Sequence, residues 1–108
     1  MEIDANKIAQ ELSRRGMEWA DTDAAFRALD DVTKSVLSEA IAALNQNESM
    51  AAKETAARRS QKYMDHLIAL SDARRAANRA KVNYDTYKVY MELLRTNAAT
   101  ERAQMQLT

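Results

Sequence analysis

The near absence of helix-breaking residues limits what this chain can fold into. Its 108 residues include one glycine, Gly16, and no proline. Glycine and proline normally mark tight turns and the ends of strands, whereas strong helix formers such as alanine, leucine and arginine dominate this sequence. Hydrophobic residues make up 46% of the chain and charged residues 30%, which is not the composition of a disordered region. The sequence therefore predicts an all-α fold in a single domain over residues 1–108.

Hydrophobic spacing predicts short N-terminal helices within residues 1–46. Gly16 is expected to bend or interrupt the first of them, because glycine costs about 1 kcal/mol relative to alanine inside a helix. Asp21 or Thr22 is then expected to cap a new helix, in which hydrophobic residues share one face over residues 22–46. At about 1.5 Å per residue, this second helix would be roughly 36 Å long.

A single long helix is predicted over residues 50–106. The polar run at residues 45–49 is expected to reverse the chain, and Asn47 or Ser49 to cap the helix that follows. After Met50 the sequence contains no glycine or proline, so we expect an uninterrupted rod of roughly 80 Å. The predicted architecture is a helical hairpin or bundle with a long C-terminal helix.

Apolar and small residues recur at seven-residue intervals along the long helix, a spacing typical of coiled-coil-like packing. The predicted N-terminal helix is too short to cover this seam, so we expect self-association into a dimer or higher homo-oligomer to bury the remainder. The N-terminal helix then packs either on its own chain or on a neighbouring one. The seam includes Tyr63, Leu70, Ala77, Tyr84, Tyr87, Met91 and Leu94.

Charge is divided unevenly although the net charge is zero. Residues 1–49 carry five basic and ten acidic side chains, and residues 50–108 carry eleven basic and six acidic ones. The two halves are therefore expected to attract each other.

A basic stripe lies beside the predicted seam, with one cation in every heptad. Such a stripe either tracks the phosphates of a nucleic acid or pairs with acidic residues of the N-terminal half or of a second subunit. Pairing is the favoured interpretation, because acidic residues interrupt the basic surface and the net charge is zero. The stripe consists of Arg74, Lys81, Lys88, Arg95 and Arg102.

Two aromatic residues are further candidates for contact with a partner. Tyr90 leaves the heptad seam that Tyr84 and Tyr87 follow, so its ring is expected at the surface near the basic stripe. Trp19 follows the glycine and is either an exposed anchor or a core residue. Tryptophan is frequent among binding hot spots, but the packing interpretation is favoured for the only tryptophan of a small domain.

Catalysis is not expected. The absence of cysteine excludes thiol nucleophiles and thiolate metal sites, and a chain with one glycine cannot form a Gly-rich phosphate loop. Metal sites in helical bundles place a glutamate three residues before a histidine, but Tyr63 holds that position before His66, the only histidine. We predict no catalytic residue, metal or cofactor, and interpret His66 as a packing or surface residue.

The segment that starts the chain lacks the basic and apolar regions of a signal peptide, and no apolar run approaches the roughly 20 residues that span a bilayer. Together with the absence of cysteine, this predicts a protein without a membrane segment, located in the cytoplasm of a bacterium or an infected host cell.

Part of the long helix resembles the C-terminal helix of small uncharacterised proteins encoded by phages and prophages. The resemblance covers residues 60–105 and rests on the stretches AANRAKVNYD at 76–85, YMELLRT at 90–96 and ATER at 99–102. It implies a viral or prophage accessory protein that binds or inhibits a host or viral protein, and it carries over no functional residues.

The sequence thus favours a non-enzymatic, self-associating helical protein that binds a protein partner. The alternative is a nucleic-acid-binding helical protein that uses the basic stripe.

Overall fold

The computed structural model describes residues 4–44 and 47–107, and these form helices without any strand. The helices, in chain order, are α1 (Ala5–Asp31), α2 (Thr33–Ala42), α3 (Met50–Arg58) and α4 (Gln61–Leu107). The long helix α4 packs antiparallel against α1 and α2. The prediction of an all-α hairpin with a long C-terminal helix is therefore confirmed.

Helix α1 runs without interruption through Gly16, Asp21 and Thr22. The predicted interruption of the helix at Gly16 and the predicted new helix start at Asp21 or Thr22 are therefore wrong. The Thr22 hydroxyl donates to the carbonyls of Glu18 and Trp19, at 2.9 and 3.0 Å, inside the helix instead of capping a new one. One glycine costs only about 1 kcal/mol, and packing against α4 along the whole of α1 offsets this. A break comes only at Val32, between α1 and α2.

The predicted rod over residues 50–106 is divided in two. Ser49 caps α3 as predicted, by accepting a hydrogen bond from the Ala52 amide at 3.2 Å. The prediction of an unbroken helix is wrong, because α3 ends at Arg58 and α4 begins at Gln61, directly after Ser60. The Ser60 hydroxyl donates to the Ala57 carbonyl at 2.6 Å and accepts from the Tyr63 amide at 3.3 Å, which both ends one helix and starts the next. Residues 45 and 46 of the predicted turn lie outside the described residues.

A heptad seam runs along both long helices. On α4, the residues that are buried or half-buried at alternating spacings of three and four are Tyr63, His66, Leu70, Ala73, Ala77, Ala80, Tyr84, Tyr87, Met91, Leu94 and Ala98. On α1 and α2, the matching series is Ile8, Leu12, Arg15, Trp19, Thr22, Phe26, Leu29, Thr33, Val36 and Ala40. Two such series facing each other form an antiparallel coiled coil within one chain.

The register of the two helices is constant along the seam. A side chain built on Gly16 would contact Tyr84, and Thr33, 17 residues later at the start of α2, meets His66, 18 residues earlier in α4. Extended in the other direction, the same register brings Ala5 level with Arg95. Helix α4 continues to Leu107, so its last 12 residues, roughly 18 Å, extend beyond the first residue of α1.

The expectation that the N-terminal helices are too short to cover the seam is wrong over residues 63–94 and correct beyond them, where Met105 is 75% exposed. Helices α1 and α2 comprise 27 and 10 residues and together span roughly 55 Å. Their seam residues shield α4 from Tyr63 to Leu94. Self-association stays a prediction, but this covered part of the seam does not require it.

The coiled coil is slender and its core is thin. The chain measures 88 × 20 × 16 Å and has a radius of gyration of 24.1 Å, against about 13 Å for a compact chain of this length. The buried apolar residues are mostly alanines, and no large side chain is fully enclosed in the part of the chain that the structure describes.

Candidate interaction surfaces on the long helix

The residues predicted to form an oligomer seam lie against the N-terminal helices of the same chain. Tyr63 and Ala77 are buried, and the other five are half-buried. Near the middle of the seam, the rings of Trp19 and Tyr84 have centroids 5.8 Å apart, tilted by 34°. Trp19 is thus half-buried within the seam, as the packing interpretation expects, and only part of its ring is accessible to a partner.

His66 is a seam residue. It is buried, and its Nε2 lies 2.8 Å from the hydroxyl of Thr33 across the interface between α4 and α2. No group of three histidine or acidic side chains suited to a metal ion occurs among the described residues. The contacts of His66 are those of a packing residue whose polar edge is satisfied by one hydroxyl.

The basic stripe occupies one edge of α4, and all five of its side chains are exposed. Within residues 4–44 and 47–107, none of them forms an ion pair with a carboxylate. Of the ion pairs in this part of the chain, only that between Lys62 and Glu39 joins the acidic and basic halves. The favoured interpretation of the stripe, pairing with the acidic half, therefore lacks a supporting contact.

The acidic residues of α1 pair mainly within α1. Glu11 accepts hydrogen bonds of 2.7 Å from both Arg14 and Arg15, and Asp23 pairs with Arg27. The hydrogen bonds from Arg14 and Arg15 lower the pKa of Glu11 to about 2. Glu11, Glu18 and Asp23 consequently have local partners, and no carboxylate of α1 pairs with the stripe within the described residues.

The stripe divides into two parts by its contacts. The guanidinium of Arg74 lies 5.0 Å from the ring centre of Phe26, and the Lys81 ammonium lies 5.8 Å from that of Trp19, which are cation–π distances. Lys88, Arg95 and Arg102 have neither a ring nor a carboxylate as a partner among the described residues. These three cations, toward the C-terminal end of α4, are available to a ligand.

Tyr90 does not lie beside the basic stripe. It is exposed, as predicted, but it follows Lys88 by two residues, and two residues turn the helix by about 200°. Its ring therefore projects from the opposite edge of α4, where it cannot act with Lys88 on one ligand face.

A groove opens between α1 and α4 at the end of the hairpin where the stripe cations are free. We call it the open-end groove. Its volume is about 1180 Å³, and its apolar lining comes from Ala5, Ile8, Ala9 and Leu12 of α1 and from Ala98, Ala99 and Met105 of α4. Arg95 and Arg102 line it on the side of α4, together with Glu92 and Glu101. The heptad series of α4 alone gave no sign of it, because α1 forms half of its lining.

A second apolar face lies on the side of α4 that points away from α1. We call it the outer row; it consists of Ile68, Val82, Val89 and Leu93, which are 57, 60, 54 and 57% exposed. These residues fall within about 60° around the helix, roughly opposite the seam. The outer row was not predicted, because the seam accounted for most of the apolar residues of α4 and has a more regular spacing than the outer row.

No helix within the described residues combines the length and the apolar character needed to cross a membrane. Comparison with protein-family models, curated proteins and solved structures finds no match.

Proposed function

We propose that this chain is a non-enzymatic interaction protein that assembles with a second copy of itself through the outer row of α4. The observation that supports this is the exposure of four large apolar side chains on one helix face that no other described part of the chain covers. Val82, Val89 and Leu93 lie within about three helical turns of one another, and exposed apolar side chains grouped in this way mark interaction sites.

The accessible surface of the chain is large enough for such an interface. It measures 8413 Å² for a mass of 12.2 kDa, whereas a compact monomer of this mass exposes about 6,100 Å². The excess of roughly 2,300 Å² is more than the about 800 Å² that each partner buries in a stable complex of ordinary size. A dimer would thus bring the exposed surface toward that of a compact protein.

An antiparallel arrangement suits the outer row best. Placing Val82 opposite Val89 of the second copy repeats the same contact on the other side of the two-fold axis. This register also overlaps the two α4 helices over nearly their whole length. A parallel arrangement would instead place the Arg75 side chains of the two copies side by side, which is unfavourable.

Sedimentation velocity on the full chain at micromolar concentration tests this proposal. We expect about twice the mass of 12.2 kDa for the wild type and for Met17→Glu, which alters an exposed apolar residue of α1 as a matched control. Val82→Glu combined with Val89→Glu should give a monomer with an unchanged helical circular dichroism spectrum. A wild type that stays monomeric at 100-fold higher concentration contradicts the proposal.

The absence of cysteine allows the orientation to be tested by disulfide trapping. The double variant Val82→Cys, Val89→Cys should form a covalent dimer on oxidation, because the thiol at position 82 of one copy lies opposite the thiol at position 89 of the other copy. Val82→Cys alone should not, since its two copies would lie roughly 10 Å apart along the helix. Efficient trapping of the single variant would indicate parallel packing.

The resemblance to phage-encoded helical proteins stays a prediction. On the basis of this resemblance, we extend the proposal to a second protein partner: the assembled dimer binds or inhibits a host or viral protein.

Nucleic-acid binding through the basic stripe is the second candidate function. All five stripe cations are exposed, and none is paired with a carboxylate in the described part of the chain. Binding of a short labelled duplex should then weaken steeply with salt, because each phosphate contact releases a counterion. No change in anisotropy at 50 mM salt removes this candidate.

A further inference from the structure

We infer that the open-end groove binds an acidic amphipathic helix of a partner protein, with the helix lying along α1 and α4 as a third strand of the coiled coil. This rests on the proposed role in protein interaction, but it concerns a different surface from the outer row, so that either can fail alone.

The lining of the groove fits the apolar side of a helix. Ala5 and Ala9 of α1 and Ala98 and Ala99 of α4 leave a shallow floor because they carry only methyl groups. Larger side chains of an incoming helix can enter there and contact Ile8 and Leu12, as in other helix-in-groove complexes.

Arg95 and Arg102 line the groove, and Lys88 lies one heptad before Arg95 on the same edge of α4; these cations supply the charge preference. Lys88, Arg95 and Arg102 follow one another at heptad spacing, roughly 10.5 Å apart along α4. Glutamates at the flanking positions of a packed helix repeat at the same interval. Three cations over roughly 21 Å therefore match a helix of about 14 residues or more. Because these cations have no partner in the described part of the chain, no contact within it has to break first.

Two features favour a helix over a nucleic acid. Glu92 and Glu101 also line the groove; a helix can carry glutamates beside Arg95 and Arg102 and neutral residues beside these two carboxylates, whereas every phosphate of a nucleic acid is charged. Stripe cations roughly 10.5 Å apart are also sparse against a nucleic-acid strand that advances only about 3.4 Å per phosphate. An apolar floor contributes nothing to a phosphodiester backbone, whereas it stabilises the apolar face of a helix.

The probe for this inference is a synthetic 21-residue helical peptide with leucine at its core heptad positions and glutamate at the flanking ones. Isothermal titration calorimetry with the full chain should show binding of this peptide. A matched peptide with lysine in place of every glutamate should bind at least tenfold more weakly.

Charge reversal locates the site. Arg95→Glu combined with Arg102→Glu should weaken binding of the glutamate peptide at least tenfold and strengthen binding of the lysine peptide. Arg58→Glu combined with Arg59→Glu makes the same charge change on exposed residues outside the groove and should leave both affinities unchanged. Ala99→Trp should also weaken binding tenfold or more, because it fills the groove without altering its charge.

Three results would overturn the inference. They are no binding of the glutamate peptide, equal binding of the two peptides, or binding of a short DNA duplex that depends on Arg95 and Arg102 while the glutamate peptide does not bind. Sedimentation of the same variants distinguishes a failure of the groove inference from a failure of the proposed dimer. Arg95→Glu with Arg102→Glu should keep the wild-type mass, whereas loss of the dimer in Val82→Glu, Val89→Glu should leave peptide binding in place.

Discussion

Gly16 lies against the ring of Tyr84 at the centre of the coiled coil. A Cβ atom built on Gly16 would be 3.5 Å from Cε2 of Tyr84, which is an ordinary van der Waals distance. The backbone of Gly16 does not have a positive φ, so nothing in its conformation requires glycine. The position therefore has room for one methyl group.

We expect Gly16→Ala to stabilise the fold by about 0.5–1 kcal/mol, because alanine restricts the unfolded chain and favours the helix. Urea unfolding followed by circular dichroism measures this. Ala24→Gly, on the exposed face of the same helix, is the matched control and should lose a similar amount. A decrease in stability for Gly16→Ala would show that the methyl group displaces Tyr84 and that the packing is tighter than the distance indicates.

The sequence predicted α4 better than α1 for a physical reason. Apart from His66, the α4 seam consists of apolar and small residues, so its period is visible in hydrophobicity alone. The seam of α1 and α2 includes Arg15, Thr22 and Thr33, whose aliphatic parts pack while their polar ends find partners. A search for spacings of four and three that tolerated polar members would have found the seam of α1 and α2 and shown that it covers α4 as far as Leu94.

The candidate surfaces were less predictable than the fold. The position of the five stripe residues on one exposed edge follows from heptad arithmetic. Which of them have intramolecular partners depends on the register of α1, which sets Phe26 beside Arg74 and Trp19 beside Lys81. That register is a property of both helices together, so it could not be obtained from the spacing of either one.

The hydrogen bond between Thr33 and His66 should contribute measurably to stability. Thr33→Val keeps the shape of the side chain but leaves the Nε2 of a buried imidazole without its hydroxyl partner, which costs about 1–3 kcal/mol. Thr96→Val removes a hydroxyl that bonds only to the Glu92 carbonyl of its own helix at an exposed site, and it should change stability by less than about 0.5 kcal/mol. Equal losses of stability in the two variants would show that the hydrogen bond to His66 contributes no more than an exposed hydroxyl does.

The stability of the chain should depend on the ionisation of Glu11 in acid. Its folded-state pKa of about 2 lies below the ordinary value of 4.5 because Arg14 and Arg15 donate to it. A depressed pKa contributes stability above the unfolded-state value, and this contribution is lost as the pH falls from about 4.5 to 2. Thermal melts in this range should show a shallower decline for Glu11→Gln than for the wild type.

The control for the acid dependence is Glu54→Gln, because Glu54 forms no ion pair among the described residues. It should follow the wild-type curve. Identical slopes for Glu11→Gln and the wild type would mean that the two arginines do not hold Glu11 in solution, and the distances of 2.7 Å would then overstate the interaction.

The alanines of the α4 seam set the distance between the two long helices. Ala77 and Ala80 are 5 and 4% exposed, so a larger side chain at either position has no space unless the helices separate. We expect Ala80→Leu to destabilise the coiled coil by about 1–3 kcal/mol through overpacking. Ala76→Leu, on an exposed position of the same helix, should change the unfolding midpoint little, since leucine and alanine are both good helix formers. If Ala80→Leu were instead neutral or stabilising, the helices would be able to move apart at no cost, and close packing of small residues could not be what fixes their separation.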